Sequence, residues 1–446
     1  MKFYRVIIIL ALVVMCGLGW VKYISDTSTE NKTYRLYIQS GDENRKDGLY
    51  ELAIESYSSA YDVNPSEEIC STIISTYLEW YEGEPVRKVE KGLEKAYKDA
   101  TSKYPRNVSF WEGYAQLCAD TGKYSELISV YDKATAQKIS SQSLTDLYRQ
   151  AYYSVKLTNS TYAYITTGAL NSVYTYGDGG SQYGTLKANG NDGISYASFS
   201  YVSPAGPGGI VIVKDETGEC FGIDPKGKKL ARFMADITEC RGPGGELLAA
   251  RLSGREDWCF INYEGEEQFG GYLNAGCFEQ GLAPVQLSDG KWAFVDTEGN
   301  LREERFEDVL LDESGDFLMD NCLFYKENGK WILKNLNEDP NDVFTCDEID
   351  ISRGDLIAFS EGGLWGFVNK KGEVVISPSY EKARSFSGGV GAVCKNGLWG
   401  FVDGRGEMVI DPVYSDAGYF DAKGGTCPVK SQEKDSWQLL TWRVSR

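Results

Sequence analysis

The chain contains no histidine among its 446 residues. That removes Ser-His-Asp and Cys-His catalysis, His-ligated zinc and a histidine pH switch from consideration. Its 11 cysteines include no C-x-x-C pair. The nearest neighbours, Cys259 and Cys277, are 18 residues apart, so the short ligand spacings of structural zinc sites are missing. Basic residues are outnumbered, 46 against 65 acidic ones, for a net charge of −19. An acidic surface repels phosphate backbones, so no nucleic acid partner is expected. Aromatics are not scarce: 13%, with 30 Tyr and 10 Trp, far too many for a disordered chain.

Long apolar runs are also few. The clearest, Val6 to Val21, follows Lys2 and Arg5 and precedes Lys22. It is short for a span of ~20 residues. Phe3 and Tyr4 on one side and Tyr23 and Ile24 on the other lengthen it, and Lys22 can snorkel to the interface. We expect residues 6–24 to be an uncleaved transmembrane signal anchor, with residues 1–5 as a short cytoplasmic tail. The bulk of the chain then lies on the extracytoplasmic side of the cell membrane. Ten cysteines follow the run. An oxidising compartment permits disulfides, but Cys322 and Cys427 stand where another copy of a repeat has Ala283, so buried free thiols are expected.

Residues 33–157 follow a 3.6-residue apolar period. Gly48-Leu49-Tyr50 leads to Ala53, Tyr57, Ala60 and Pro65, and Gly122-Lys123-Tyr124 leads to Leu127, Tyr131 and Ala134. Small residues at Ala53, Ala60 and Ala134 let helices approach, and the tyrosines fill the gaps between them. With Trp111, these positions resemble the tetratricopeptide repeat. A middle copy around Ile69–Pro105 departs from the pattern at Gly83-Glu84-Pro85 and carries Leu93, Ala96 and Tyr97 out of register. The resemblance implies a short α-solenoid with a concave, peptide-binding face. Residues 158–172, rich in Ser, Thr and Asn, read as a linker.

Beyond them one unit recurs. Leu364-Trp365-Gly366-Phe367-Val368 returns as Leu398-Trp399-Gly400-Phe401-Val402. Gly372, Ile376, Pro378, Tyr380, Ala383 and Phe386 return 34 residues later as Gly406, Ile410, Pro412, Tyr414, Ala417 and Phe420. Other copies start at Tyr183, Cys220, Trp258, Trp292 and Trp331, with a terminal half-copy at Trp437. Gly190, Gly227, Gly265 and Gly299 lie seven residues past their motif starts, as Gly372 and Gly406 do. Each unit reads as short strands: Ala392–Lys395, an Asn396-Gly397 hairpin turn, Leu398–Asp403, then Met408–Ile410 closed by Asp411-Pro412. Such units bury their faces only when stacked.

This pattern resembles the WG repeat family, known mainly from bacterial proteins, and residues 173–446 are read as a WG-repeat β domain. The resemblance implies β-repeat structure and transfers no catalytic residue. The expected fold class is multidomain α + β: a membrane helix, a short α-solenoid, then an all-β repeat domain. A closed β-propeller of about seven blades is favoured, the half-copy Thr426–Trp442 completing a blade begun near Val173. An open β-solenoid is the alternative.

No catalytic, cofactor-binding or metal residue is singled out. Recurring Trp and Tyr at one unit position are expected in the core; the same indoles lining an open, acid-rimmed cleft would direct the search to an enzyme. Asn189–Gly193 and Asn337–Asp342 lack the order of ligands of a calcium loop. Gly177–Gly180 and Gly206–Gly209 open no helix and are not phosphate cradles. The expected function is a non-enzymatic, membrane-anchored scaffold for protein or peptide partners at the cell envelope. The alternatives are a carbohydrate or cell-wall binding module and an envelope hydrolase using a carboxylate pair.

Overall fold

A computed structural model describes residues 30–444 apart from 179–181, 194–198, 234–235, 244, 246, 320 and 338–342. The expected tail and anchor, residues 1–24, lie outside the described residues. Among the described residues no helix is long and apolar enough to cross a membrane. The chain divides into two bodies between Tyr152 and Tyr153.

Among the described residues the helical body has seven helices: α1 over residues 30–46, α2 Tyr50–Val63, α3 Glu67–Gly83, α4 Arg87–Lys103, α5 Val108–Asp120, α6 Tyr124–Ala136 and α7 Gln142–Tyr152. Gly48 and Gly122 hold φ of 74° and 68° in the α1–α2 and α5–α6 turns, where a side chain is strained. Ala53, Tyr57, Ala60 and Ala134 are buried as the periodicity requires. The irregular middle copy folds too. Gly83-Glu84-Pro85 ends α3, and Leu93, Tyr97 and Ala100 of α4 join the core. Tyr97 stacks on Tyr114 of α5 at 6.1 Å, so a tertiary contact overrides the lost register.

Among the described residues the β body carries all eight motif copies, hereafter units one to eight, on seven hydrogen-bonded sheets. Unit seven is a four-stranded antiparallel meander: Lys382–Ser387, Val390–Lys395, Leu398–Val402 and Met408–Tyr414. Asn396 and Gly397 both have positive φ, 54° and 77°, as the tight hairpin demands. The last strand does not stop at Asp411-Pro412. It is an edge strand, and its register shifts against Leu398–Val402. Proline is tolerated at such an edge because its missing N–H leaves no ladder bond unmade.

Two devices recur. The Asp or Asn four residues past the motif start accepts amide hydrogen bonds from two and four residues ahead, at Asp224, Asn262, Asp296, Asn369 and Asp403. The glycine three residues further on holds a φ of 79–90°. The second device joins neighbours. Phe260 packs on Phe278, Phe294 on Phe317, Phe367 on Phe386 and Phe401 on Phe420, with ring centroids 4.8–5.2 Å apart. In each pair the second ring belongs to the following unit. Such tilted pairs contribute about 0.5–1.5 kcal/mol each beyond burial. Four of the seams between units therefore hold a phenylalanine pair.

The ends of the β body meet. Val155–Leu157 pairs antiparallel with Trp437–Trp442, which makes it the outer strand of unit eight. The half-copy thus completes a sheet of its own instead of the one begun near Val173. Unit one packs against unit eight: the Tyr174 hydroxyl reaches Thr426 at 3.0 Å, and Leu439 joins Ile165, Tyr174 and Leu186 in one buried cluster. The stretch read as a linker, 158–172, carries the strand Tyr164–Ile165 and buried Thr166 and Leu170. Ser and Thr suit short edge strands as well as loops, so composition alone misplaced the boundary.

All ten described cysteines are buried, and none is in a disulfide. Cys322, Cys427 and Ala283 are each 0% exposed and pair with the motif strands of their own units.

Candidate functional site

Units six, seven and eight contribute the same part of their fold, the start of the first strand, to one open cleft of about 670 Å³. In chain order these positions read Asp347-Glu348-Ile349-Asp350, Glu381-Lys382-Ala383-Arg384 and Ser415-Asp416-Ala417-Gly418. Trp365, Trp399 and Tyr419 supply the aromatic lining. The volume lies within the roughly 300–1,000 Å³ of ligand pockets.

Most polar groups here have protein partners. Asp347 accepts from Lys330 and from the Gly362 amide at 2.8 Å. Glu381 accepts from the amides of Asn396 and Gly397 at 2.8 and 2.9 Å, which fixes the hairpin of its own unit. Both carboxyls are held below the usual range. For Asp347 the main cause is Lys330, then the Gly362 amide; for Glu381 it is the amides of Gly397 and Asn396. Asp350 accepts from the Tyr419 hydroxyl at 2.7 Å and from the Ser385 amide at 2.7 Å, tying unit six to units seven and eight. Arg384 pairs with Asp416 at 3.0 Å. Burial works against the Arg384 charge, but Tyr419, Asp416 and Asp350 outweigh it and its pKa is raised. Glu348 and Lys382 are exposed.

The indoles divide. Trp258, Trp292 and Trp399 are sealed at 2%, 4% and 7% exposure, as core residues should be. Trp365 is only half-buried and faces the cleft together with Trp399. An acid-rimmed cleft touching two of the recurring indoles is thus present. A hydrolase pair needs one carboxyl kept protonated near neutrality, and Asp347 and Glu381 are pushed the opposite way. Among the described residues, the acids that burial raises are Glu279, to about 7, Asp316, to about 6, and Asp308; they belong to units four and five and do not line this cleft.

The motif glycine has a steric cause. A Cβ on Gly366 or Gly400 would stand 2.5 Å from the carbonyl oxygen of Ile376 or Ile410, where the neighbouring strand bulges. In unit three, Cys259 replaces the glycine and the gap moves across the ladder: a Cβ on Gly270 would meet the Cys259 Cβ at 2.5 Å. Close approach survives there with the glycine on the partner strand.

Other singled-out stretches are structural. Asn189 accepts from the Asn191 amide at 3.0 Å in a turn. Gly206 is pressed against the Pro243 carbonyl, between units two and three. Residues 179–180 and 338–342 lie outside the described residues. Among the described residues no group of three or more Cys, Asp or Glu is placed to hold a metal. The helical body has a smaller hollow of about 300 Å³ between α2, α3 and α4, bordered by Tyr61, Tyr77, Lys95 and Lys103.

The chain is similar to BamB from Moraxella catarrhalis, at 10% identity over 65% of this chain and 99% of that one, with a TM-score of 0.41. It is also similar to the computationally designed Ika8 protein, at 10% identity over 65% and 98%, TM-score 0.40. A third likeness is to catalytically inactive virginiamycin B lyase from Staphylococcus aureus with quinupristin, at 13% identity over 65% and 99%, TM-score 0.33. No curated protein matches. The family described as WG containing repeat matches residues 365–399 and 399–434, the units whose indoles line the cleft. Over residues 365–434, this chain is built of WG containing repeats.

Proposed function

We propose that this protein is a non-enzymatic scaffold, anchored to the cell membrane through residues 6–24, that presents its β body to protein partners at the cell envelope. In this reading the eight units form a closed, propeller-like ring. Pairing of Val155–Leu157 with Trp437–Trp442 supports closure, and so does the reach of Glu313 in unit five to the Thr167 amide in unit one, at 3.1 Å. The observation that carries the function is the cleft itself. Its Asp347, Asp350, Glu381 and Asp416 are engaged by amides, hydroxyls or cations, which gives a rigid, preorganised recognition surface. A glycan ligand is the second reading, favoured by the half-buried Trp365 beside carboxylates.

A photo-crosslinking residue placed at Glu348 or Lys382 in the full chain, in cells, tests the proposal. A discrete protein adduct is expected from both positions and none from the exposed turn residue Glu298. Equal adducts from all three, or none from any, overturn it. Resistance of the chain to extraction from membranes at alkaline pH is the expected outcome for the anchor.

A further inference from the structure

Where a motif indole has a basic neighbour, the chain itself supplies the cation. Arg241 and Arg251 lie over Trp258 at 4.6 and 5.2 Å. Arg384 lies over Trp399 at 5.4 Å, and Lys326 over Trp331 at 5.8 Å. Among the described residues no basic side chain lies over Trp365. The reason is in the register. Arg384 stands fifteen residues before Trp399, and the residue fifteen before Trp365 is Asp350. Unit six thus presents an indole and a carboxylate where unit seven presents an indole and its guanidinium, and the cleft opens beside them.

The lining carries five acids, Asp347, Glu348, Asp350, Glu381 and Asp416, against Lys382 and Arg384. This excess of negative charge around an uncovered ring selects a cation. A planar guanidinium suits it better than an ammonium, because it stacks flat on an indole while its fork bonds carboxylates.

We propose that the cleft binds an arginine-bearing peptide segment of a protein partner, with one guanidinium lying over Trp365 in the place that Arg384 takes over Trp399. The inference rests on the reading of this face as a protein-binding surface and names the chemistry of its partner. Glu348, exposed at the rim, steers the incoming charge. Asp350, held by Tyr419 and the Ser385 amide, is the fixed anion behind it.

The test uses the full chain and a fluorescein-labelled Gly-Ser-Arg-Gly-Arg-Ser peptide, read by fluorescence anisotropy. Saturable binding is expected, weakened about tenfold when citrulline replaces arginine, and several-fold less by lysine. Trp365→Leu and Glu348→Lys should each weaken it about five- to tenfold, with circular dichroism unchanged. Glu264→Lys alters the total charge equally but at a distant turn, and should leave binding as it was. Should Trp365→Leu not fold, Glu348→Lys against Glu264→Lys decides alone. Equal losses from those two, or equal binding of the citrulline peptide, overturn the inference. So does indifference to arginine together with quenching of tryptophan fluorescence by a chito-oligosaccharide, which makes the cleft a sugar site. If the peptide fails while crosslinks from Glu348 still capture a protein, this inference falls and the scaffold reading stands. If both fail, the scaffold reading falls with it.

Discussion

Units six and seven are near-copies, yet they treat the same indole differently. Trp399 is sealed and has Arg384 over it; Trp365 is half-buried and bare. The seams do not account for this, since Phe367 on Phe386 and Phe401 on Phe420 are the same joint 34 residues apart. One inverted charge does. In unit seven the residue before the indole's face is Arg384, bonded forward to Asp416; in unit six it is Asp350, bonded to Tyr419. Repeat proteins keep the residues that hold copies together and vary those that do not. Here the Phe pair recurs unchanged from unit six to unit eight, while the exposure and neighbours of the motif Trp differ from copy to copy.

The largest effect that separates the two units is expected from deleting each indole. Trp399→Ala empties a sealed site in the cluster of Phe401, Phe420 and Trp442 and should cost about 3–5 kcal/mol. Trp365→Ala removes a ring already in contact with water and should cost about 1–2 kcal/mol. Urea unfolding followed by near-ultraviolet circular dichroism measures both. Equal costs would mean that Trp365 is as much a core residue as Trp399.

Next in size is a change on which the two units should agree. Gly366→Ala and Gly400→Ala both drive a Cβ to 2.5 Å from a backbone carbonyl, and neither strand can yield without losing its bulge. Each should destabilise by about 1–3 kcal/mol. Gly222→Ala is the control in unit two, where the nearest atom is Ile212 Cδ1 at 3.7 Å; it should stay within about 0.5 kcal/mol of the parent. A tolerated Gly400→Ala would remove the steric explanation of the motif glycine.

Much of this was legible in the sequence. The 34-residue period located the motif strands, Asn396-Gly397 marked its hairpin, and the alanine match of Cys322 and Cys427 placed two thiols in the core. What was missed depends on partners far along the chain. Val155-Lys156-Leu157 is too short to read as a strand, and its partner is Trp437–Trp442. The cleft left a trace that alignment of the copies contains: Glu348, Lys382 and Asp416 alternate in sign at one position, and Asp350 opposes Arg384. Arg384 bonds Asp416 of the next unit, whereas Asp350 at the equivalent position of unit six accepts from Tyr419 and the Ser385 amide.

The smallest expected difference concerns two carboxylates at equivalent positions, Asp347 and Glu381. Both have folded pKa values below the ordinary range, so both stabilise the fold above the unfolded carboxyl pKa of about 4, and the contribution is lost as pH falls through the lower folded value. Asp347→Asn and Glu381→Gln should therefore lower stability at pH 7, and each gap to the parent should close below about pH 4. Their salt responses should part. Asp347 relies first on Lys330, an exposed pair that about 0.5 M salt screens. Glu381 relies on the Gly397 and Asn396 amides, short-range bonds to fixed dipoles that salt leaves largely intact. Denaturation midpoints at low and high salt should show the Asp347→Asn deficit shrinking while the Glu381→Gln deficit holds. If both shrink alike, the hairpin bond of Glu381 adds little, and the two units are alike at the cleft rim in all but sign.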